Sequence, residues 1–189
     1  RNDRALDHII TGGSVLGISL PVFVTGTLLL LVFSVWLPIL PPQRYVGFFA
    51  DPVGHLQLII LPVVALAATS TAVIMRMTRS AMLETLSADF VRTVRAKGVI
   101  ERKVITNHAL RNALVPVVSI TSVELATLIG STVLIETIFG WPGMSSMLMQ
   151  AVTDRDYPVI QAVVLSASVF VIVVNLVADI VIRLLDPRT

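Results

Sequence analysis

Hydrophobic residues fall into four long runs, at about 13–37, 56–75, 113–139 and 158–184, separated by stretches richer in polar residues. None alternates with a period of two, which argues against strands and against a β-barrel. A helix needs roughly 20 apolar residues to cross a hydrocarbon core of about 30 Å. The second run is the shortest and leans on its flanks. The pattern predicts an all-α polytopic membrane protein with four transmembrane helices in one domain, residues 1–189. The connecting segments fall at about 38–55, 76–112 and 140–157.

Composition agrees with this. Hydrophobic residues make up 55% of the chain and charged residues 14%, and mean hydropathy is +0.88. A soluble domain carries about 25% charged residues. With no cysteine, disulfides and thiolate metal sites are excluded. The pI near 9.5 does not signal nucleic-acid binding, because the basic residues crowd the ends of apolar runs. The chain opens Arg1-Asn2-Asp3 without an initiator Met or a signal-peptide pattern, and reads as a fragment whose N-terminal part is missing.

The segment from Arg76 to Arg111 holds eight of the fourteen Lys and Arg residues. Placing it in the cytoplasm puts Arg1, Arg4, Arg183 and Arg188 there too, twelve of fourteen in all, with only Arg44 and Arg155 outside. That is the positive-inside rule. Trp36, Tyr45, Trp141 and Tyr157 then fall at the outer ends of the spans, where such rings favour the headgroup layer. The expected location is a bacterial or archaeal plasma membrane, with the fragment's N-terminus, the 76–112 segment and the C-terminus cytoplasmic.

Within the spans, Pro21, Pro62 and Pro116 each lack a backbone donor and are expected to kink or loosen a helix. Ala65–Ala72, Ala126 and Gly130 supply small residues for close helix approach. General packing explains such residues; a substrate path lined by them is the alternative.

Ser87 is expected to N-cap a short helix with Asp89 in its first turn. Phe90, Val91 and Val94 form an apolar stripe at helical spacing, while Arg92 and Arg95 point elsewhere. Gly98 stops that helix, and a second begins near Ile100. There Ile100, Val104 and Ile105 oppose Glu101, Arg102 and Lys103, and Pro116 follows early in the next crossing. Such a segment rests on anionic lipid, connects two spans, or docks a soluble partner, and periodicity alone leaves all three open.

Arg92-Thr93-Val94-Arg95-Ala96-Lys97-Gly98 with His108-Ala109-Leu110-Arg111-Asn112-Ala113-Leu114-Val115-Pro116 resembles the cytoplasmic signature loop of ABC-importer permeases. It is most similar to the dipeptide, oligopeptide and nickel branch, first-permease type. Arg92, Thr93 and Val94 stand where many other importers have Glu-Ala-Ala, a departure that this branch shares. Ser19-Leu20-Pro21-Val22-Phe23, Glu136-Thr137-Ile138-Phe139-Gly140-Trp141-Pro142-Gly143, Asp156-Tyr157-Pro158 and Leu185-Asp186-Pro187-Arg188 extend the resemblance from about Leu6 to the end.

The resemblance implies the type I transmembrane-domain fold of ABC importers, with residues 76–112 holding a coupling helix. It implies ATPase-coupling roles for Arg92, Arg95, Ala96, Lys97, Gly98, Glu101 and Arg102, with 95–102 as the docking tip. Implied partners are two cytoplasmic ATPase subunits, a second homologous permease, an extracytoplasmic solute-binding protein and membrane lipid. ATP and Mg would be bound by the ATPase subunits, and no cofactor by this chain.

The chain has no Gly-x-x-x-x-Gly-Lys-Ser/Thr phosphate loop and no nucleophile–base set, so a non-catalytic subunit is expected. His8, His55 and His108 are dispersed, and a solvated loop histidine is the reading preferred for His55 over a metal ligand. Glu124 lies about 16 Å into the third span at 1.5 Å per residue, where a charge needs a partner or water. It and Asn175 are candidates for the translocation path; a hydrogen-bonded packing role is the alternative for each. Glu136 and Asp179, nearer helix ends, suit structural roles. The leading expectation is a permease subunit for peptides or a related small solute. An ion-gradient-driven secondary transporter fragment and a membrane scaffold recruiting a soluble partner are the alternatives.

Overall fold

In a computed structural model, residues 20–41 and 45–185 are described. The expectations for Arg1, Arg4, His8, Arg44, Arg188 and the 13–19 part of the first span lie outside them. All regular structure among the described residues is helical.

α1, Val22–Leu30, begins at Pro21, whose extended ψ of 144° puts it at the N-cap. Pro21 therefore starts a helix rather than kinking one, since its missing N–H costs nothing there. α1 runs on through a π turn, Leu31–Trp36, giving an apolar helical stretch shorter than a full crossing.

α2, Pro52–Ser87, has Pro52 in its first turn and the Asp51 carboxylate accepting from the Gly54 N–H at 3.0 Å. At 36 residues it is about 54 Å long, and it continues three turns beyond the expected limit at 75. The apolar run stops before Arg76, whereas the helix ends only at Ala88, where ψ reaches 148°. Ser87 is not the N-cap of the next helix. Its hydroxyl donates to the Glu84 carbonyl, and Ala88 takes the cap position with no side-chain bond.

α3 is Asp89–Ala96. α4, Glu101–Lys103, passes without a break through a π turn, Val104–Ala109, into α5, Leu110–Phe139. The third crossing is thus helical from Glu101, not from 113. Pro62 and Pro116 both lie inside continuous helices.

α5 ends at Gly140, whose φ is +60°. The Trp141 N–H returns to the Glu136 carbonyl at 2.9 Å, the glycine-terminated helix end that satisfies a last-turn carbonyl. α6, Met144–Asp154, occupies a segment expected to be a loop. α7, Tyr157–Leu185, is the last helix.

α2, α5 and α7 are each long and apolar enough to cross a membrane. α2 packs on α5, α5 on α7, and α1 fits between α2 and α5. Gly26 makes that fit possible: a Cβ there would lie 3.0 Å from Ile135 Cδ1 and 3.3 Å from Phe139 Cε2. Around it Leu61, Ala65, Ile135 and Phe139 form one apolar cluster. A second, of Ala81, Ala113 and Val117, joins α2 to α5 at the opposite end. The helix ends thus divide into a basic end, with α3 and α4, and an aromatic end, with Tyr45, Trp141 and α6.

Candidate functional site

The basic end is a folded block. Val91 of α3 and Val104 of the π turn are both 0% exposed, as is Ala109, and α3 packs against that turn. The expected stripe is realised through Val91 and Val104, but Ile100 is 77% exposed and Ile105 also faces out. Reversal of the chain between α3 and α4 depends on Gly98, whose φ is +76°. That conformation disfavours a side chain, and its N–H closes on the Arg95 carbonyl at 2.9 Å.

Arg95 and Glu101 bridge this elbow. Arg95 Nε donates to Glu101 Oε2 at 3.0 Å and Nη2 to Oε1 at 2.7 Å. A planar guanidinium fork against a carboxylate is the geometry that fixes direction as well as distance. The hydrogen bonds from Arg95 hold the Glu101 carboxyl below its ordinary range, and Glu101 in turn raises Arg95. Glu101 is therefore engaged within the elbow. Arg92 makes a 3.4 Å contact with Asp89, both well exposed, an ion pair of little weight. Ala96, Lys97, Gly98 and Arg102 are exposed on the same block.

A residue not singled out as a site residue in the sequence ties this block to the last helix. Arg111 Nε donates to the Leu185 carbonyl at 2.8 Å, and Nη2 to the Leu184 carbonyl at 2.9 Å. These are last-turn carbonyls of α7 that have no intrahelical partner, and a cation suits the negative end of a helix. Nothing local to Arg111 foretells a bond to residues more than seventy positions away.

At the aromatic end, His55 is half-buried in the first turn of α2 rather than a solvated loop residue. Its Nδ1 lies 2.8 Å from the Val46 carbonyl oxygen, and its ring meets Phe48 and Trp141 edge-on. Tyr45 packs edge-on against Trp141 at 5.2 Å. No group of three or more His, Asp or Glu residues suited to a metal is found among the described residues.

Glu136 has the structural role expected of it. Its Oε2 accepts from the Ser146 N–H at 2.9 Å, at the start of α6. Gly143 at the N-cap has no side chain to serve there, and a Cβ on it would overlap the Glu136 carboxylate. The Ser146 hydroxyl accepts from the Gly143 N–H at 2.9 Å, completing the cap.

Glu124 stands seven residues after Val117 and eleven before Ile135, so it shares their face of α5 between the two apolar clusters. It is half-buried; its carbonyl accepts from the Thr127 hydroxyl at 2.8 Å, while its carboxylate has no hydrogen-bond or ion-pair partner among the described residues. Asn175 is exposed on α7, and no hydrogen bond joins it to Glu124.

Three long apolar helices, joined through small residues and carrying a basic elbow, have the make-up of a polytopic membrane protein. The chain belongs to the family of binding-protein-dependent transport system inner membrane components, whose pattern matches residues 1–189. It is 42% identical over 96% of its length to the di/tripeptide transport system permease protein DppB of Pseudomonas aeruginosa. It is 38% identical over 96% to the dipeptide transport system permease protein DppB of Escherichia coli K12. Identity is 41% over 98% to a putative peptide transport system permease protein of Brucella abortus. The chain spans about 60% of the length of the first two relatives and 59% of the third.

Proposed function

We propose that this chain is part of the permease subunit of an ATP-driven importer of peptides or a related small solute. In this reading it forms half of a translocation path completed by a second, homologous permease. Two ATPase subunits dock on the basic end and an extracytoplasmic solute-binding protein on the aromatic end. The permease itself is non-catalytic; ATP and Mg belong to the ATPase subunits. The basic end faces the cytoplasm, as the distribution of Lys and Arg supports.

The observation that carries the reading is the basic elbow itself, a buried core under an exposed tip fixed by Gly98 and the Arg95–Glu101 pair. A lipid-resting helix does not need a turn held this firmly; a lever that receives force does. Arg92, Ala96, Lys97 and Arg102 form the surface offered to the ATPase, while Arg95, Gly98 and Glu101 keep its shape. Glu124 and Asn175 are assigned to the path.

The test is purification of the full-length protein from its native membrane in mild detergent, followed by reconstitution into liposomes. The reading expects co-purifying ATPase subunits, a second permease, and peptide uptake that requires ATP. Uptake driven by an ion gradient without ATP, or a chain recovered alone and inert, would overturn it.

A further inference from the structure

We infer that one face of α7, marked by Gln161, Ser168, Asn175, Asp179 and Arg183, lines a water-filled path along the length of the helix. At about 100° per residue these five fall within roughly 40° on either side of one line, a sector they share with the exposed Leu165 and Ile172. All five are exposed. The residues by which α7 packs on its neighbours, centred on Val163, Val171 and Ala178, lie about a third of a turn away. Val169 and Val173 occupy a separate exposed apolar sector on the other side, suited to lipid.

Placement makes the polar line informative. α7 has 29 residues, and Asn175 and Asp179 stand four and eight positions past its midpoint at Val171. That is about 6 and 12 Å, inside the half-thickness of about 15 Å of a hydrocarbon core. Only 6% of its central window is buried against the rest of the chain. Ser168 satisfies its hydroxyl on the Val164 carbonyl of its own helix. Gln161, Asn175, Asp179 and Arg183 have no hydrogen-bond or ion-pair partner among the described residues. Of these, Asn175 and Asp179 fall within the hydrocarbon thickness, where polar and ionisable side chains face a protein interior or water.

The line's extent favours water. A packed helix contact needs one or two small or polar residues at the crossing point, whereas these five span 22 positions, about 33 Å. On its flank a groove of about 590 Å³ opens between α5 and α7, lined mainly by apolar residues such as Ala126, Ile129 and Val164, with Ser145 and Ser168 as its polar members. Gln161, Ser168 and Asn175 offer amide and hydroxyl groups without net charge, and Asp179 and Arg183 add one charge of each sign towards the basic end. This suits a polar solute recognised through amide groups, such as a short peptide backbone, more than a strongly charged ion.

The inference rests on the importer reading and is tested separately from it. Single cysteines replace Ser168, Asn175, Val169 or Val173 in a cysteine-free, full-length complex, which is then exposed to a charged, membrane-impermeant thiol reagent. The reactive species is the thiolate, which needs water, so Ser168→Cys and Asn175→Cys should label about tenfold faster than Val169→Cys and Val173→Cys. Ser168→Cys, nearly isosteric, decides the matter if Asn175→Cys fails to assemble. Equal labelling at all four positions, or protection of the polar pair, would overturn the assignment. ATP-dependent uptake by the unsubstituted complex is measured alongside. Its presence with a protected polar pair would leave the importer reading standing, and its absence would remove that reading whatever the labelling.

Discussion

Arg111 Nε lies 2.8 Å from the carbonyl oxygen of Leu185, joining the start of α5 to the end of α7. With the second bond to Leu184, one guanidinium closes the last turn of α7 and fixes it to the helix that grows out of the basic elbow. The elbow end of α5 is thus joined to the end of α7 by this clamp as well as by the packing of the two helices.

Replacing Arg111 with Gln removes a charge-assisted pair of bonds and a cation at a helix C-terminus. The expected loss is about 1–2 kcal/mol, read as a lower apparent Tm in detergent. Faster hydrogen exchange in the last turn of α7 should accompany it. Arg111→Lys keeps the charge without the fork and should recover part of both effects. An unchanged exchange rate in Arg111→Gln would show that the clamp carries no weight.

Gly98 offers a cleaner separation of shape from bulk. Nothing lies within 4 Å of a Cβ built on it, so any cost of substitution is conformational. With φ at +76°, a β-branched residue should cost about 1–3 kcal/mol locally, and Asn, which tolerates this region, considerably less. ATP-dependent uptake should fall in the order Gly, Asn, Ala, Val, with membrane insertion unchanged. Full uptake by Gly98→Val would contradict a mechanical role for the elbow.

The Arg95–Glu101 pair predicts a pH dependence. Arg95 lowers the folded-state pKa of Glu101. The pair's contribution is therefore complete above the unfolded carboxyl value and is lost as pH falls through the lower, folded value. The carboxyl carbon NMR shift of Glu101 should titrate below the ordinary glutamate midpoint and return towards it in Arg95→Gln. Reversing both charges, Arg95→Glu with Glu101→Arg, should restore more uptake than either change alone.

Glu136 should be needed for the order of α6. Glu136→Ala strips the acceptor from the Ser146 N–H and is expected to cost about 1 kcal/mol, with faster exchange in the first turn of α6. Glu136→Gln keeps an acceptor and should cost less. Gly143→Ala should match or exceed Glu136→Ala, because its Cβ would meet the carboxylate.

Much of this was legible in the sequence because the bilayer imposes a coarse rule. Apolar runs near 56–75, 113–139 and 158–184 mark the cores of α2, α5 and α7, and Gly98 marks the elbow by its rare conformation. Helix limits were less legible: hydropathy reports where lipid ends, while Arg76 and Arg79 prolong a helix as readily as Leu does. Ser87 could have capped α3, but an equally local bond to Glu84 won. α6 left a signal that went unread, since Met144, Met147, Leu148 and Ala151 repeat at helical spacing. The partnership of Arg111 with Leu184 and Leu185 left none, because only the packing of α5 on α7 brings them together.

On the proposed function, the elbow passes force between an ATPase and the membrane helices. A photoreactive amino acid in place of Ala96, in the full-length transporter assembled with its partners, tests it most directly. A crosslink to an ATP-hydrolysing subunit of the same transporter is expected, with a yield that changes when ATP is bound. A crosslink to lipid alone, insensitive to nucleotide, would contradict it.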